Sequence, residues 1–172
     1  MLTQKKLKAD ADAQRILQTA WMVGPVPIPV DPVRIATTLG VAVFDQKLDA
    51  NISGAIVKVD GSDPIILLNA ADSSNRKRFT CAHEIGHFVA QSNDYKDNNY
   101  EFVDLRGVIA TTSGDSNEIY ANEFAACLLM PQTEITKMIH NGDLPVQMAV
   151  RFGVSTEAVS YRIKNLGSET VS

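Results

Sequence analysis

Two histidines one helical turn apart, with a glutamate directly after the first, stand at His83-Glu84-Ile85-Gly86-His87. The run from Asn75 to Ala90 around them predicts a single helix. At 3.6 residues per turn, His83 and His87 share one face and can reach one metal ion. Glu84 sits about 100° round the axis, beside such an ion rather than on it. A carboxylate so placed suits a general base acting on metal-activated water, the chemistry of His-Glu-x-x-His hydrolases. The plainer alternative is a pair of surface histidines on an amphipathic helix. Composition weighs against it, because the chain has 3 histidines and two fall in this motif. Chance alone produces the pattern in roughly one chain of this length in a few hundred. Cys81, Ile85, Phe88 and Val89 make the opposite face apolar, while Thr80, Gly86 and Ala90 flank the histidine face with small groups. The implied element is a core helix lining a cleft.

A catalytic zinc site usually takes three protein ligands and keeps a fourth position open. His140 is the remaining histidine, so a three-histidine site must use it. The alternative is a carboxylate from a second strongly helical stretch, Asn117 to Met130, which Pro131 stops. There Glu118, Asn122, Ala125 and Leu129 share a face. Glu123 lies about 140° from Glu118 around that axis, so the two are not interchangeable. Glu118 also fits a capping box, Asp115-Ser116-Asn117-Glu118, in which its carboxylate binds a backbone N–H. Spacing alone leaves His140 as ligand, Glu118 as ligand and Glu118 as cap all open.

The elements that must position these residues are those of an ordinary globular chain. Its 172 residues, 45% hydrophobic, suffice for one domain with a sizeable core. A net charge of −4 without a long basic run argues against a general electrostatic grip on nucleic acid. Met1 to Asp12 lacks the apolar core of a signal peptide, and no apolar run approaches a membrane span. A cytoplasmic location, no membrane contact, and reduced, buried Cys81 and Cys127 are the expectations.

Met1 to Lys8 reads as frayed, and Ala9 to Trp21 as a helix with Ile16, Leu17, Ala20 and Trp21 as its apolar stripe. Pro25, Pro27, Pro29 and Pro32 make an extended connector. Asp31 caps and Pro32 opens a short helix that Gly40 ends. Val41 to Phe44, Ala55 to Val59 and Pro64 to Asn69 read as strands. The second has alternating exposure and forms a hairpin with the third around Asp60-Gly61-Ser62-Asp63. Asp72-Ser73-Ser74 supplies caps for the motif helix, and Gln91 to Ser116 reads as a long polar loop. Thr133 caps a helix to His140. Val146 to Leu166 reads helix, turn, helix, with Gly153 at the turn, Ser155 as cap, and Val159, Ile163 and Leu166 inside. The expected fold is α+β. A small, mostly antiparallel sheet packs on the motif helix, and the C-terminal part is helix-turn-helix-like. The expected division is residues 1–30 as N-terminal helix and connector, 31–142 as metallopeptidase core, and 143–172 as a C-terminal segment packed on it.

The run Arg78-Phe79-Thr80-Cys81-Ala82-His83-Glu84-Ile85-Gly86-His87, followed by Glu118-Ile119-Tyr120-Ala121-Asn122-Glu123-Phe124-Ala125-Ala126-Cys127-Leu128-Leu129-Met130-Pro131, resembles the ImmA/IrrE family of metallopeptidases. That family carries an RxTxAHExGH block and an ExxANxFAaxLLMP block. Arg106 and Ser113-Gly114 resemble its linker region, and the likeness runs from about Val33 to Gly167. The resemblance implies a gluzincin-type site holding Zn2+ through His83, His87 and Glu118. Tyr120 stands where relatives commonly carry Glu, which removes a rival carboxylate and leaves the implied ligands untouched. The implied activity is that of an endopeptidase. Its implied partner is a helix-turn-helix repressor of a prophage, mobile element or stress response. Glu84 would take a proton from water and pass it to the leaving amine. Tyr95, Tyr100, Arg106 and His140 are the candidate oxyanion donors, and Asn122 either supports the site or packs.

A second class of function is a DNA- or repressor-binding module. Phe152-Gly153-Val154-Ser155 followed by Arg162 and Lys164 resembles a helix-turn-helix turn and second helix. Arg151, Arg162 and Lys164 against Glu157 make a weak phosphate footprint, so DNA binding is disfavoured and a packing unit or substrate-docking surface is the plainer reading. A metal-bound protein that sequesters its partner without cutting it is a third reading. None of these features specifies an oligomeric state.

Overall fold

The computed structural model describes residues 2–21, 26–59, 61–94, 102–107 and 116–169. Its first helix, α1 (Leu2–Ile16), runs into a π-helical stretch at Leu17–Trp21. Ala9, Ala13, Ile16 and Leu17 recur at helical spacing and are buried. The expected fraying up to Lys8 does not occur, because α1 begins at Leu2 and Lys5 and Lys6 are tied to residues over a hundred positions away. Pro25 lies outside the described residues. The short helix α2 (Pro32–Thr38) starts where Asp31 Oδ1 accepts from the N–H groups of Val33 and Arg34, at 3.0 and 3.2 Å. Gly40 follows its end with φ +77°, a conformation that favours glycine.

Four strands form one mixed sheet: β1 (Ala42–Gln46), β2 (Ile52–Lys58), β3 (Ile65–Asn69) and β4 (Phe102–Gly107), in the order β1-β3-β2-β4. β2 pairs antiparallel with β3 and β4, with Ile56 opposite Ile66 on one side and Asp104 on the other. β1 joins β3 in parallel, so the sheet is mixed rather than uniformly antiparallel. β4 falls inside the stretch read as a polar loop. Its apolar residues, Phe102, Val103 and Leu105, are too few among polar neighbours to announce a strand, and pairing to β2 makes it one. The alternating exposure expected of β2 is not found, because Ser53 to Ile56 are buried in succession.

The motif helix α3 (Ser74–Asp94) lies against β2 and β3. Arg76 donates from Nε and Nη2 to Ser53 Oγ at 2.9 and 2.7 Å, and Lys77 Nζ reaches Asp45 at 2.8 Å. Gly54 permits the close approach. A Cβ there would collide with the Thr80 side chain and stand 2.9 Å from the Leu67 carbonyl oxygen. On its other side α3 packs on α4 (Ser116–Leu129), and α1 packs behind α4. The layers therefore run sheet, α3, α4, α1, with Ile56, Ile66, Ile85, Phe124 and Leu128 fully buried between them.

Three further helices follow: α5 (Gln132–His140), α6 (Pro145–Phe152) and α7 (Thr156–Glu169). Thr133 is not the cap of α5. The capping position falls on Pro131, which makes no side-chain bond there. Gly153 turns the chain at φ +66°, and Ser155 Oγ accepts from Ala158 N–H at 3.1 Å. Arg78 of α3 clamps this turn. Its Nε donates to the Gly153 carbonyl (3.0 Å), and its Nη2 donates to those of Phe152 (3.2 Å) and Val30 (2.6 Å). A cation at the carbonyl end of α6 is favourable, and burial lowers the pKa of Arg78. Among the described residues no helix is long and apolar enough to cross a membrane.

Candidate functional site

His83 and His87 sit on the buried stretch of α3, one turn apart, with their Nε2 atoms 2.9 Å from each other. Glu118, in the first turn of α4, brings Oε1 to 3.1 Å from His87 Nε2 and Oε2 to 3.5 Å from His83 Nε2. Contact between α3 and α4 makes this meeting possible. A Cβ on Gly86 would stand 3.1 Å from both Ala121 Cα and Phe124 Cδ1, so a residue without a side chain lets the helices close. Asn122, one turn after Glu118, places Oδ1 3.0 Å from His83 Nδ1. With that oxygen accepting, Nδ1 carries a proton, so the proton His83 would give up to take a metal is the one on Nε2, which faces Glu118. Glu84 is fully buried.

The carboxylate of Glu118 is held well below its usual range, first by hydrogen bonds from His83 and His87. The two imidazoles thus favour its charged form. Glu118 keeps 17% of its side-chain surface exposed, against 1% for His83 and 4% for His87, so the cluster meets solvent from the α4 side.

Two imidazole nitrogens and a carboxylate oxygen, all within 4.8 Å of one another, could hold a metal ion. Ligands at zinc's bond lengths in a tetrahedron stand about 3.3 Å apart, and the separations of 2.9, 3.1 and 3.5 Å bracket that value. The donor set fits a borderline-soft divalent cation.

Residues 36–164 match the model of the IrrE N-terminal-like domain, a peptidase family. The chain belongs to this ImmA/IrrE family. It is 32% identical over 112 residues to the radiation response metalloprotease IrrE of Deinococcus radiodurans, a match covering 60% of the chain and 32% of that protein. In three dimensions it resembles a Mycobacterium tuberculosis transcriptional regulator, with a TM-score of 0.60 and 18% identity. That likeness covers 90% of the chain and 46% of the regulator, and it speaks to the fold. The chain spans about a third of one relative's length and under half of the other's.

Of the other residues singled out in this ImmA/IrrE chain, His140 stands apart from the cluster. It is exposed on α5, and its Nδ1 is bonded to the Thr136 carbonyl of its own helix at 2.8 Å. Tyr95, Tyr100, Ser113, Gly114 and Asp115 lie outside the described residues, as does the side chain of Arg106. Arg162 is 1% exposed, bonded to Glu123, Asp10 and the Met130 carbonyl, so it cannot serve as a phosphate contact. Sequence reasoning missed two roles: the clamp made by Arg78, and the network that Glu123 makes with Arg162 and Asn165. Their signal was faint, since an arginine is ordinarily a surface residue.

Proposed function

We propose that this chain is a zinc-dependent endopeptidase of the His-Glu-x-x-His, gluzincin-like type that cuts a protein partner. The convergence of His83, His87 and Glu118, with buried Glu84 adjoining His83, carries this reading. Those three residues would hold the zinc, and Asn122 would orient the His83 ring by accepting from Nδ1–H. When bound, zinc acidifies a water molecule and polarises the scissile carbonyl. Glu84 accepts the proton of the attacking water at a carboxylate oxygen and returns it to the leaving amine. The α4 side, where Glu118 keeps its exposure, is the side from which a peptide enters.

The proposed substrate is a helix-turn-helix repressor of a prophage, mobile element or stress response, cut in the cytoplasm. A radiation-response metalloprotease among the relatives supports a stress setting. The net charge of −4 complements the basic surface that a DNA-binding partner carries. The test is co-expression with the product of a neighbouring repressor gene, comparing the parent with Glu84→Gln. Cleavage fragments are expected with the parent, and cleavage about 10²–10⁴-fold slower with the variant. If Glu84→Gln relieves repression as well as the parent and leaves the repressor whole, the chain acts by binding.

A further inference from the structure

Glu118 lies in the first turn of α4, and hydrogen bonds from residues on either side of it join this end of α4 to α1. Lys5 Nζ donates to Ser116 Oγ at 2.6 Å and to Asn117 Oδ1 at 3.4 Å. The Tyr120 hydroxyl donates to Asp12 Oδ2 at 2.7 Å, and the Lys8 ammonium stands 5.9 Å from the Tyr120 ring centroid. Beside these contacts Ala9 and Ala13 are fully buried, and their small side chains let α1 lie close along α4. On the opposite side of α4, Glu118 meets the histidines and Asn122 meets His83. The ligand-bearing turn is therefore held from behind by α1 and from in front by α3.

The charge of Lys5 is informative. A cation at a helix N-terminus opposes the helix dipole, so Lys5 does not stabilise α4 as a helix. What its bond to Ser116 does is fix where that turn sits. Ser116 and Tyr120 each lie two residues from Glu118, so a shift of the turn moves the carboxylate with it. Metal–ligand bonds tolerate displacements of only about 0.2 Å.

We propose that Lys5 and Asp12 are positioning residues for the metal centre: docking of α1 sets Glu118 against the histidine pair and so sets metal affinity. The inference rests on reading His83, His87 and Glu118 as metal ligands. The test is Co2+ titration of the full chain, following both affinity and the intensity of the visible band, which reports ligand number. The variants are Lys5→Ala, Asp12→Ala, their double, and Tyr120→Phe, which removes the hydroxyl that bonds Asp12 and keeps the ring. Tyr120→Phe is expected to weaken binding severalfold and the double variant about tenfold, the low end for groups that support metal ligands, with a weaker visible band. Lys5→Arg and Asp12→Asn keep a donor and an acceptor and should match the parent. Arg15→Ala breaks the separate 3.2 Å ion pair of Asp12 within α1 and should also match it. Parent-like affinity and spectrum in Tyr120→Phe and the single alanine variants would overturn the proposal. A parent that takes up no Co2+ would overturn the metal reading beneath it, a distinct result.

Discussion

Helix α4 presents two glutamates, five residues apart, to opposite environments. Glu118 faces α3 and meets two imidazoles, with 17% of its side chain exposed. Glu123 faces α1 and α7 and is 2% exposed. Its carboxylate takes Arg162 Nη1 at 3.4 Å, Asn165 Nδ2 at 2.8 Å and Lys6 Nζ at 3.8 Å. Arg162 in turn reaches Asp10 at 3.4 Å, so this side of the helix is an ionic knot joining α1, α4 and α7. A carboxylate already matched by a guanidinium has little to offer an incoming cation. One whose partners are imidazoles, which bind a metal in their neutral form, does. The same residue type can act as a staple or be open to a metal according to whether its partners can give up their protons.

The widest separation comes from truncating each glutamate. Glu123→Ala leaves Arg162 buried with Asp10 as its remaining counter-charge among the described residues, which should lower stability by about 3–5 kcal/mol, while the folded fraction keeps its metal stoichiometry. Denaturant unfolding and metal analysis on the same samples measure both. Glu118→Ala should do the reverse. Its zinc affinity should fall by more than the roughly 10–100-fold typical of groups that only support a ligand, with a much smaller change in unfolding midpoint. Metal loss in Glu123→Ala at parent-like stability would erase the distinction.

Asn122 sharpens the front half of the contrast. Its bond to His83 Nδ1 sets the tautomer that turns Nε2 toward the cluster. Asn122→Ala is expected to weaken zinc binding about 10–100-fold, an effect competition with a chelator can resolve. Asn122→Asp, a stronger acceptor, should bind at least as tightly as the parent. Equal affinity in the alanine variant would make Asn122 a packing residue.

How much of this was legible in advance follows the range of the interactions. His83 and His87 are four residues apart on one helix, so local geometry alone paired them. Glu118 comes 31 residues after His87, and its helical face was readable, but the docking of α4 on α3 through Gly86 and Ala121 is tertiary. Spacing therefore left ligand and cap open until the family's second block was considered. Arg162 misled for the same reason. A basic residue in a turn-flanked helix suggests a phosphate contact, and its burial is explained by the distant Glu123, Asp10 and Met130 carbonyl. β4 was missed because its partner strand lies some fifty residues earlier. The C-terminal pair was readable because Gly153 and Ser155 act on their immediate neighbours.

The two thiols provide the smallest test of whether the front and back of α4 share one core. Cys81 lies on α3 and is fully buried, and Cys127 lies on α4 and is 2% exposed. Burial, and then Glu84, pushes Cys81 from its ordinary 9.0 up to about 12. Burial also raises Cys127. Both folded-state values exceed the unfolded one, so the folded chain keeps its thiol protons where the unfolded chain has begun to lose them. Their contribution to stability is complete below about pH 9 and drains away as pH rises toward 12, at up to about 1.4 kcal/mol per pH unit for each thiol. Lysines and tyrosines titrate in the same window, so the readout is the difference between the parent and Cys81→Ala or Cys127→Ala in denaturant melts from pH 8 to 11. Each alanine variant should show a shallower alkaline decline than the parent, and in the parent both thiols should resist alkylation at pH 8 until the chain unfolds. A thiol that alkylates readily in the folded protein, or a variant whose alkaline slope matches the parent's, would mean that side of α4 opens to water without global unfolding.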